Sequence, residues 1–262
     1  MPELPDLEVY KGNIFNKLTS KRLVGVKVFS QKIATPESIL AEELAGNTLA
    51  TINRFGKELL FDFSDKKILT AHLMLNGKIT ITPNPADAEK IMSKVLMLNF
   101  ENESLVIHDT GNIGAVVRYK PRFDNTPDAF GDNFTLEYFI SMAQKKAVMN
   151  VKAFLIDQKI IKGIGNAYAD EILYVAGISP KSIIGKIPEN ILAQLYKAIG
   201  SVLQDAIVSI KAIAPDIISG EERSFLKVHV KYKKKTDTGF PISIETIASK
   251  ITYFTEEQIL YK

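Results

Sequence analysis

Apolar residues recur at helical spacing near the start of the chain, and short β-rich runs follow through much of the next hundred residues. The helical stripe consists of Leu7, Tyr10, Ile14 and Leu18. It predicts a helix over 5–18. Polar or glycine-containing turns then separate short β-rich runs, a pattern typical of a β-sandwich. The predicted strands are 23–29, 48–55, 58–63, 68–75, 78–82, 95–100, 104–109 and 115–119.

A polar, turn-rich stretch then separates this region from a helical one, and a short β-rich segment closes the chain. We predict helices over 135–145, 150–157, 166–176, 188–199 and 201–212, and terminal strands over 226–234 and 247–254. The fold class is therefore α+β, with a helix on a β-sandwich, a linker, a helical domain and a terminal hairpin. The predicted boundaries are 1–122, 123–134, 135–220 and 221–262. Two domains joined by a linker are expected to leave a cleft between them.

The composition excludes several kinds of catalytic and metal-binding site. The 262 residues include no cysteine and three scattered histidines, His72, His108 and His229. Disulfides, thiolate catalysis and cysteine-bound metal centres are excluded, and a histidine metal site is not expected. We found no apolar window approaching the length of about twenty residues that spans a membrane, and no secretory signal. We therefore expect a cytoplasmic protein without a metal or a membrane association.

Positive charge is concentrated near the C-terminus, although the net charge is only +3. The basic residues of this stripe are Arg223, Lys227, Lys231, Lys233, Lys234 and Lys235, and no acidic residue lies among them. Phe225, His229 and Tyr232 are interleaved with them. The stripe suits a phosphate backbone. A solvated strand edge protected by lysines explains it equally well.

The N-terminus offers a nucleophile. Removal of Met1 would leave Pro2 with a secondary α-amine, and α-amines have pKa values of about 7.7–8, so that a useful fraction is unprotonated at neutral pH. Such an amine can attack the anomeric carbon of a deoxynucleotide and form an iminium. Glu3 is adjacent and can act as the acid that opens the sugar ring. Taken alone, the same residues fit an ordinary terminus beside a helix cap.

Three segments carry a family resemblance. They are MPELPDLE at 1–8, RFGK at 54–57, with His72-Leu73 after it, and GIGNAYADEIL at 163–173. In this order and spacing they resemble the formamidopyrimidine-DNA glycosylase and endonuclease VIII family. The third segment resembles that family's helix–two-turn–helix motif, and the resemblance runs essentially from end to end.

The resemblance implies a bifunctional DNA glycosylase and abasic-site lyase of base excision repair. It implies that damaged duplex DNA binds in the cleft, that the proline displaces the base through a Schiff base, and that β,δ-elimination cuts the strand. No metal or cofactor is implied, and we expect a nucleoid-associated monomer. The implied catalytic residues are Pro2, Glu3 and Lys57, and the implied DNA contacts are Asn166, Gly165, Lys152 and Lys250. Asn166 is expected to open a helix whose free amides hold a phosphate.

The chain departs from the family pattern at several positions. The cysteine positions of the family's zinc finger correspond to Lys235, Thr238, Thr255 and Gln258. We therefore expect a zincless finger that folds by apolar packing. Lys250 replaces an arginine and keeps its charge without the bidentate fork. Asp6 replaces a glutamate.

Residues near the flipped base also differ from the family pattern. The candidates for filling the gap that this base leaves are Leu75 and Ile113, and Gly111 stands where relatives have an arginine. The loop that caps 8-oxoguanine is shortened to 219–224. We therefore expect poor 8-oxoguanine excision and weak discrimination of the opposite base. Two alternatives stay open: a DNA-binding member that has lost base excision, and a specialist for bulky or crosslinked lesions.

Overall fold

The structure is a computed structural model that describes residues 1–31, 33–110, 114–121 and 123–262. These residues form two compact units. The first comprises Met1–Pro2, Asp6–Asp124 and Ala214–Glu221, and the second comprises Glu3–Pro5, Asn125–Ile213 and Glu222–Lys262. The predicted α+β fold class is confirmed.

The first unit is built from two four-stranded antiparallel sheets, ordered β1-β6-β7-β5 and β2-β3-β4-β8. The strands are β1 (Leu23–Val28), β2 (Leu49–Phe55), β3 (Glu58–Phe63), β4 (Lys67–His72), β5 (Gly77–Thr82), β6 (Lys94–Phe100), β7 (Ser104–Asp109) and β8 (Val116–Tyr119). The helices are α1 (Leu4–Leu18), whose first two residues belong to the second unit, α2 (Glu37–Leu44) and α3 (Pro85–Lys90). The sequence pattern did not predict α2 and α3, which are too short to show a helical period clearly.

One hydrophobic core joins both sheets to α1. It takes Phe61 from one sheet, Leu98 from the other, and the predicted stripe of α1, including Tyr10 and Ile14. All four of these side chains are 0% exposed. Since burying such a side chain contributes about 1.5–3 kcal/mol, α1 is held firmly against the sandwich. The first residues of the chain are therefore attached to a rigid element.

The second unit contains α4 (Leu136–Lys145), α5 (Val151–Ile156), α6 (Asn166–Val175) and α7 (Glu189–Ile213), followed by the hairpin β9 (Ser243–Ile247) and β10 (Lys250–Phe254). Thr135 and Asn150 cap α4 and α5 with their side chains. The two predicted helices 188–199 and 201–212 are one helix, because Gly200 continues α7 without a break. A glycine inside a helix costs only about 1 kcal/mol, which the buried face of α7 offsets.

The strand predicted at 226–234 does not form. Instead, the backbone amides of Lys227, Val228 and His229 donate to the carboxylate of Glu171 at 2.7–2.8 Å. These amides are therefore not available to a partner strand. The strand that pairs with β10 lies later in the chain, at Ser243–Ile247.

The predicted domain boundaries differ from the observed units in several places, beginning with Glu3–Pro5, which was predicted in the first domain and belongs to the second unit. Part of the predicted linker belongs to the second unit, where Ala129 donates to the carbonyl of Lys162 and Lys162 donates to that of Pro127. The end of the predicted helical domain, Ala214–Glu221, belongs to the first unit. The predicted finger, 221–262, falls within the second unit from Glu222 onward.

One helix, α7, is long and apolar enough to cross a membrane by length and composition alone. Our expectation that no apolar segment approaches the length needed to span a membrane was therefore wrong for α7. Its apolar residues Leu195, Ile199, Leu203 and Ile210 are fully buried within the second unit. This burial is typical of a core helix.

Candidate active site

Pro2 is buried and lines a pocket of about 310 Å³ in the first unit. The other lining residues are Leu75, Asn76, Gly77, Lys78, Thr110, Gly220 and Glu221. Lys78 and Glu221 supply its charges, and the ammonium group of Met1 forms an ion pair with Glu221. A volume of this size lies at the lower end of the range for ligand pockets, about 300–1,000 Å³.

Glu3, the next residue, is only 4% exposed and is held within the second unit. Its Oε2 accepts hydrogen bonds from the amides of Gly165 at 2.7 Å and Tyr168 at 3.4 Å, and its Oε1 accepts from Ala167 at 3.0 Å. These amides form the N-terminus of α6, where backbone dipoles favour an anion. The carboxylate therefore occupies a position that the sequence analysis assigned to a phosphate.

Gly165 lies beside this carboxylate for a steric reason. Its φ is −124°, which any residue adopts, so a tight turn does not require glycine here. A Cβ built at Gly165 would lie 2.3 Å from Cδ of Glu3. Gly163, by contrast, has a φ of +102° and does need the conformational freedom of glycine.

Lys57 lies in the tight turn between β2 and β3 and is only 8% exposed, although turn lysines are usually solvated. Arg54 fixes this turn, because it donates to the carbonyl of Gly56 at 2.9 Å and to Oε1 of Glu8 at 2.7 Å. Glu8 belongs to α1, so the helix that follows the N-terminus also holds the turn that carries Lys57.

His72 adds a neutral group near this turn. Burial, together with the positive charges of Lys57 and Arg118, lowers the pKa of His72 to about 4. Its Nδ1 accepts a hydrogen bond from the amide of Met74 at 3.0 Å. The imidazole is therefore uncharged at neutral pH, with its proton on Nε2.

Lys152 is not at the surface. It is 0% exposed, and its Nζ lies 2.7 Å from Oδ1 of Asp170 and 2.6 Å from Oγ1 of Thr252. Burial lowers the pKa of Lys152, and the charge of Asp170 opposes that effect. Oδ2 of Asp170 in turn accepts from Nδ1 of His229 at 2.7 Å and from the amide of Tyr253 at 3.0 Å. The predicted DNA contact is thus part of a buried network that ties β10 and His229 to α5 and α6.

The other predicted DNA contacts lie at this same end of the second unit. The side chain of Asn166 donates to the carbonyl of Ile251 at 2.9 Å, and the exposed Lys250 is the first residue of β10. Leu75, predicted to fill the gap in DNA, is 59% exposed and lines the Pro2 pocket of the first unit. Gly111 and Ile113 lie outside the described residues.

Hydrogen bonds take part in holding the terminal hairpin together. The carboxylate of Glu257 accepts from the hydroxyls of Thr238 at 2.7 Å, Thr255 at 3.1 Å and Thr236 at 3.3 Å. It therefore joins the two segments where relatives are expected to carry cysteine pairs. These hydrogen bonds stabilise the hairpin in addition to the apolar packing that we predicted. Among the described residues, no group of three histidine or carboxylate side chains is arranged to hold a metal.

Two family models cover most of the chain. The N-terminal domain of formamidopyrimidine-DNA glycosylase matches residues 1–116, and the helix–two-turn–helix domain of the same enzyme matches residues 126–215. The chain belongs to the formamidopyrimidine-DNA glycosylase family. It is accordingly a DNA repair glycosylase that binds DNA.

Individual relatives agree with this assignment. The chain is 36% identical over 205 residues to the formamidopyrimidine-DNA glycosylase of Carboxydothermus hydrogenoformans, covering 78% of this chain and 76% of that protein. It is 34% identical over 214 residues to the enzyme of Acidithiobacillus ferrooxidans, covering 79% and 78%. Its fold is similar to that of the Lactococcus lactis enzyme in complex with DNA containing an abasic site, with a TM-score of 0.85, 23% identity and coverage of 98% and 99%.

The contact between Gly165 and Glu3 yields a prediction for a glycosylase of this family. We expect Gly165→Ala to displace the Glu3 carboxylate, and base excision to fall about 10²-fold, since a misplacement of about 1 Å has effects of that size. Single-turnover excision kinetics measure this effect. The matched control is Gly200→Ala, because Gly200 lies inside α7 and a Cβ there meets nothing within 4 Å. Excision by Gly165→Ala at the native rate would contradict a role for this contact.

Proposed function

We propose that the protein is a bifunctional DNA glycosylase and abasic-site lyase whose nucleophile is the amine of Pro2 after removal of Met1. The observation that carries this proposal is the position of Pro2, which lines a pocket of about 310 Å³ together with Lys78 and Glu221. A nucleophile has to face open space of a size that a substrate can enter, and Pro2 faces such a space. The damaged strand of duplex DNA is the proposed substrate.

In the proposed reaction, the nitrogen of Pro2 forms a bond with C1′ of the damaged nucleotide, and the glycosidic bond breaks with its electron pair leaving on the base. Opening of the sugar ring gives an iminium, and β,δ-elimination then releases the strand on both sides. The target nucleotide has to leave the base stack to reach the amine. We propose that Leu75, exposed at this pocket, fills the space that the nucleotide vacates.

The proposed role of Glu3 follows from its three amide contacts. A carboxylate that accepts from Gly165, Ala167 and Tyr168 is fixed in position. Because Glu3 follows Pro2 directly in the chain, we propose that these bonds position the nucleophile. Delivery of a proton to the ring oxygen of the sugar, the role expected from the position of Glu3 beside Pro2, would require one amide to give up its bond.

The proposed DNA contacts divide into two groups. Lys57 holds a phosphate near the target nucleotide, and Asn166 with Lys250 holds the backbone from the second unit. For Lys152 we propose an indirect role, since its burial against Asp170 keeps Nζ from the surface. We propose that the protein acts as a monomer and that the reaction needs neither a metal nor a cofactor.

Lesion preference is proposed from the segment that follows α7. Tyr10 donates to the carbonyl of Gly220, and Ser219 accepts from the amide of Ile79 at 3.3 Å, so this short segment is attached to the sandwich. It leaves little chain to fold over a bulky oxidised purine. We expect the excision rate for 8-oxoguanine to be at least about tenfold lower than the rate for dihydrothymine, a difference typical of a few missing pocket contacts. A panel of duplexes with single lesions measures this ratio, and equal rates would contradict the proposal.

Trapping with borohydride tests the proposed chemistry. The reagent reduces an iminium to a stable amine, so protein and DNA become covalently joined. We expect an adduct with a duplex that carries dihydrothymine or an abasic site. Absence of an adduct with both substrates would instead favour a DNA-binding member that has lost excision.

A further inference from the structure

Glu221 is the acidic residue that lines the Pro2 pocket, and its carboxylate already pairs with the terminal ammonium of Met1. Removal of Met1 moves the terminal amine by a single residue, to Pro2, which lines the same pocket. We infer that Glu221 is the general base that accepts the proton of the Pro2 ammonium and so frees the nucleophile. This inference rests on the proposed function of Pro2.

The segment that carries Glu221 is held in place by side chains of the sandwich and its helix. Asn13 of α1 donates to the carbonyls of Pro215 at 2.7 Å and Ile217 at 2.8 Å. Tyr10, also of α1, donates to the carbonyl of Gly220, the residue directly before Glu221. The residues that precede Glu221 are therefore fixed by the same helix that follows Pro2.

A further contact from β5 and the conformation of Gly220 also restrict this segment. The hydroxyl of Ser219 accepts from the amide of Ile79 on β5, at 3.3 Å. Gly220 adopts a φ of +89°, a conformation that turns the chain and that residues with side chains rarely adopt. The position of Glu221 beside the N-terminus thus depends on several bonds from two elements, in addition to its ion pair.

The charged residues around the amine include one that can accept a proton. Among the described lining residues of the pocket, Lys78 on β5 and Glu221 are charged, and Asn76 and Thr110 are polar and neutral. A lysine ammonium donates hydrogen bonds and has no acceptor, so Glu221 is the group in this set that can accept a proton. Its side chain is 36% exposed, so water can return the proton to solvent between turnovers.

The proposed step conserves atoms and charge. The Pro2 ammonium transfers one proton to an Oε atom of Glu221, and the nitrogen recovers its lone pair. That pair forms the bond to C1′, while the glycosidic bond breaks and its electron pair leaves with the base. The base takes up a proton from water, and the hydroxide formed takes the proton that the bonded Pro2 nitrogen still carries. No oxidant, reductant or metal is required.

The test compares Glu221→Gln, Glu221→Asp and the matched control Glu222→Gln in single-turnover borohydride trapping on an abasic-site duplex. Mass measurement first verifies that Met1 is absent from each sample. We expect trapping by Glu221→Gln at pH 7 to be about 10²-fold slower, the lower end of the range for general bases. Glu221→Asp should recover part of the rate. Glu222→Gln should trap at the native rate, because the carboxylate of Glu222 is bound to the amide of Ser224 instead.

The pH profile separates this role from a structural one. Without the carboxylate of Glu221, the proton has to leave to water or hydroxide, so trapping by Glu221→Gln should recover as the pH rises, and half-maximal trapping should move to higher pH. A native rate with an unchanged profile would overturn the inference, as would equal losses in Glu221→Gln and Glu222→Gln. If the unaltered protein forms no adduct, the proposed function fails instead, and the two failures are therefore distinguishable.

Discussion

A protein that retains Met1 ahead of Pro2 is expected to excise the base about 10⁴-fold or more slowly than the processed protein. This is the scale seen when a covalent catalyst loses its nucleophile. The reason is that an amide nitrogen shares its lone pair with the carbonyl group and does not attack carbon. Single-turnover excision on a dihydrothymine duplex measures the effect. Mass measurement of each sample establishes which residue is the first.

The matched control for this experiment adds one residue after Lys262, at the opposite end of the chain. We expect that protein to excise the base at the native rate. If the protein extended ahead of Pro2 stays within tenfold of the native rate, an internal amine is the nucleophile, and Lys78 of the Pro2 pocket is the first to examine.

Asp170→Asn is expected to lower the free energy of unfolding by about 3–5 kcal/mol, the cost of removing one partner of a buried ion pair. Lys152 and Asp170 are both 0% exposed at their side chains, so the variant would leave Lys152 buried beside an uncharged amide in place of its carboxylate partner. The variant also weakens the acceptor for His229 and for the amide of Tyr253. Urea unfolding followed by circular dichroism measures the loss.

The matched control is Glu245→Gln. Glu245 pairs with Lys181 at 2.8 Å, but their side chains are 48% and 41% exposed. An exposed pair of this kind is worth roughly 1 kcal/mol or less. If Asp170→Asn loses no more stability than Glu245→Gln, the buried network does not hold β10 and His229 to α5 and α6.

Local patterns were sufficient to predict most of the fold. The short β-rich runs in 22–120, separated by turns, located the eight strands of the sandwich to within a few residues, because each strand contributes apolar side chains to the same core. The pattern failed at 226–234, where residues with strand-like alternation give their amides to Glu171. Glu171 lies more than fifty residues earlier in the chain, and no local pattern contains it.

The residues of the candidate site likewise include some that local motifs revealed and some that they did not. Pro2, Glu3 and Asn166 were identified because they lie in short motifs that can be compared along the chain. The burial of Lys152 was not foreseen, because its partners Asp170 and Thr252 come from separate elements. Glu221 was missed for a similar reason: its contact with the N-terminus joins residues at nearly opposite ends of the chain, and no motif surrounds it.

The central claim is that the amine of Pro2 bonds to the sugar of the damaged nucleotide, and identification of the trapped residue tests it most directly. The borohydride adduct with an abasic-site duplex is digested with a protease, and the peptide that carries the nucleotide is identified by mass spectrometry. We predict that this peptide begins at Pro2 and carries the modification on its α-nitrogen. A modification on the side chain of Lys57, Lys78 or any other lysine, with Pro2 unmodified, would contradict the account.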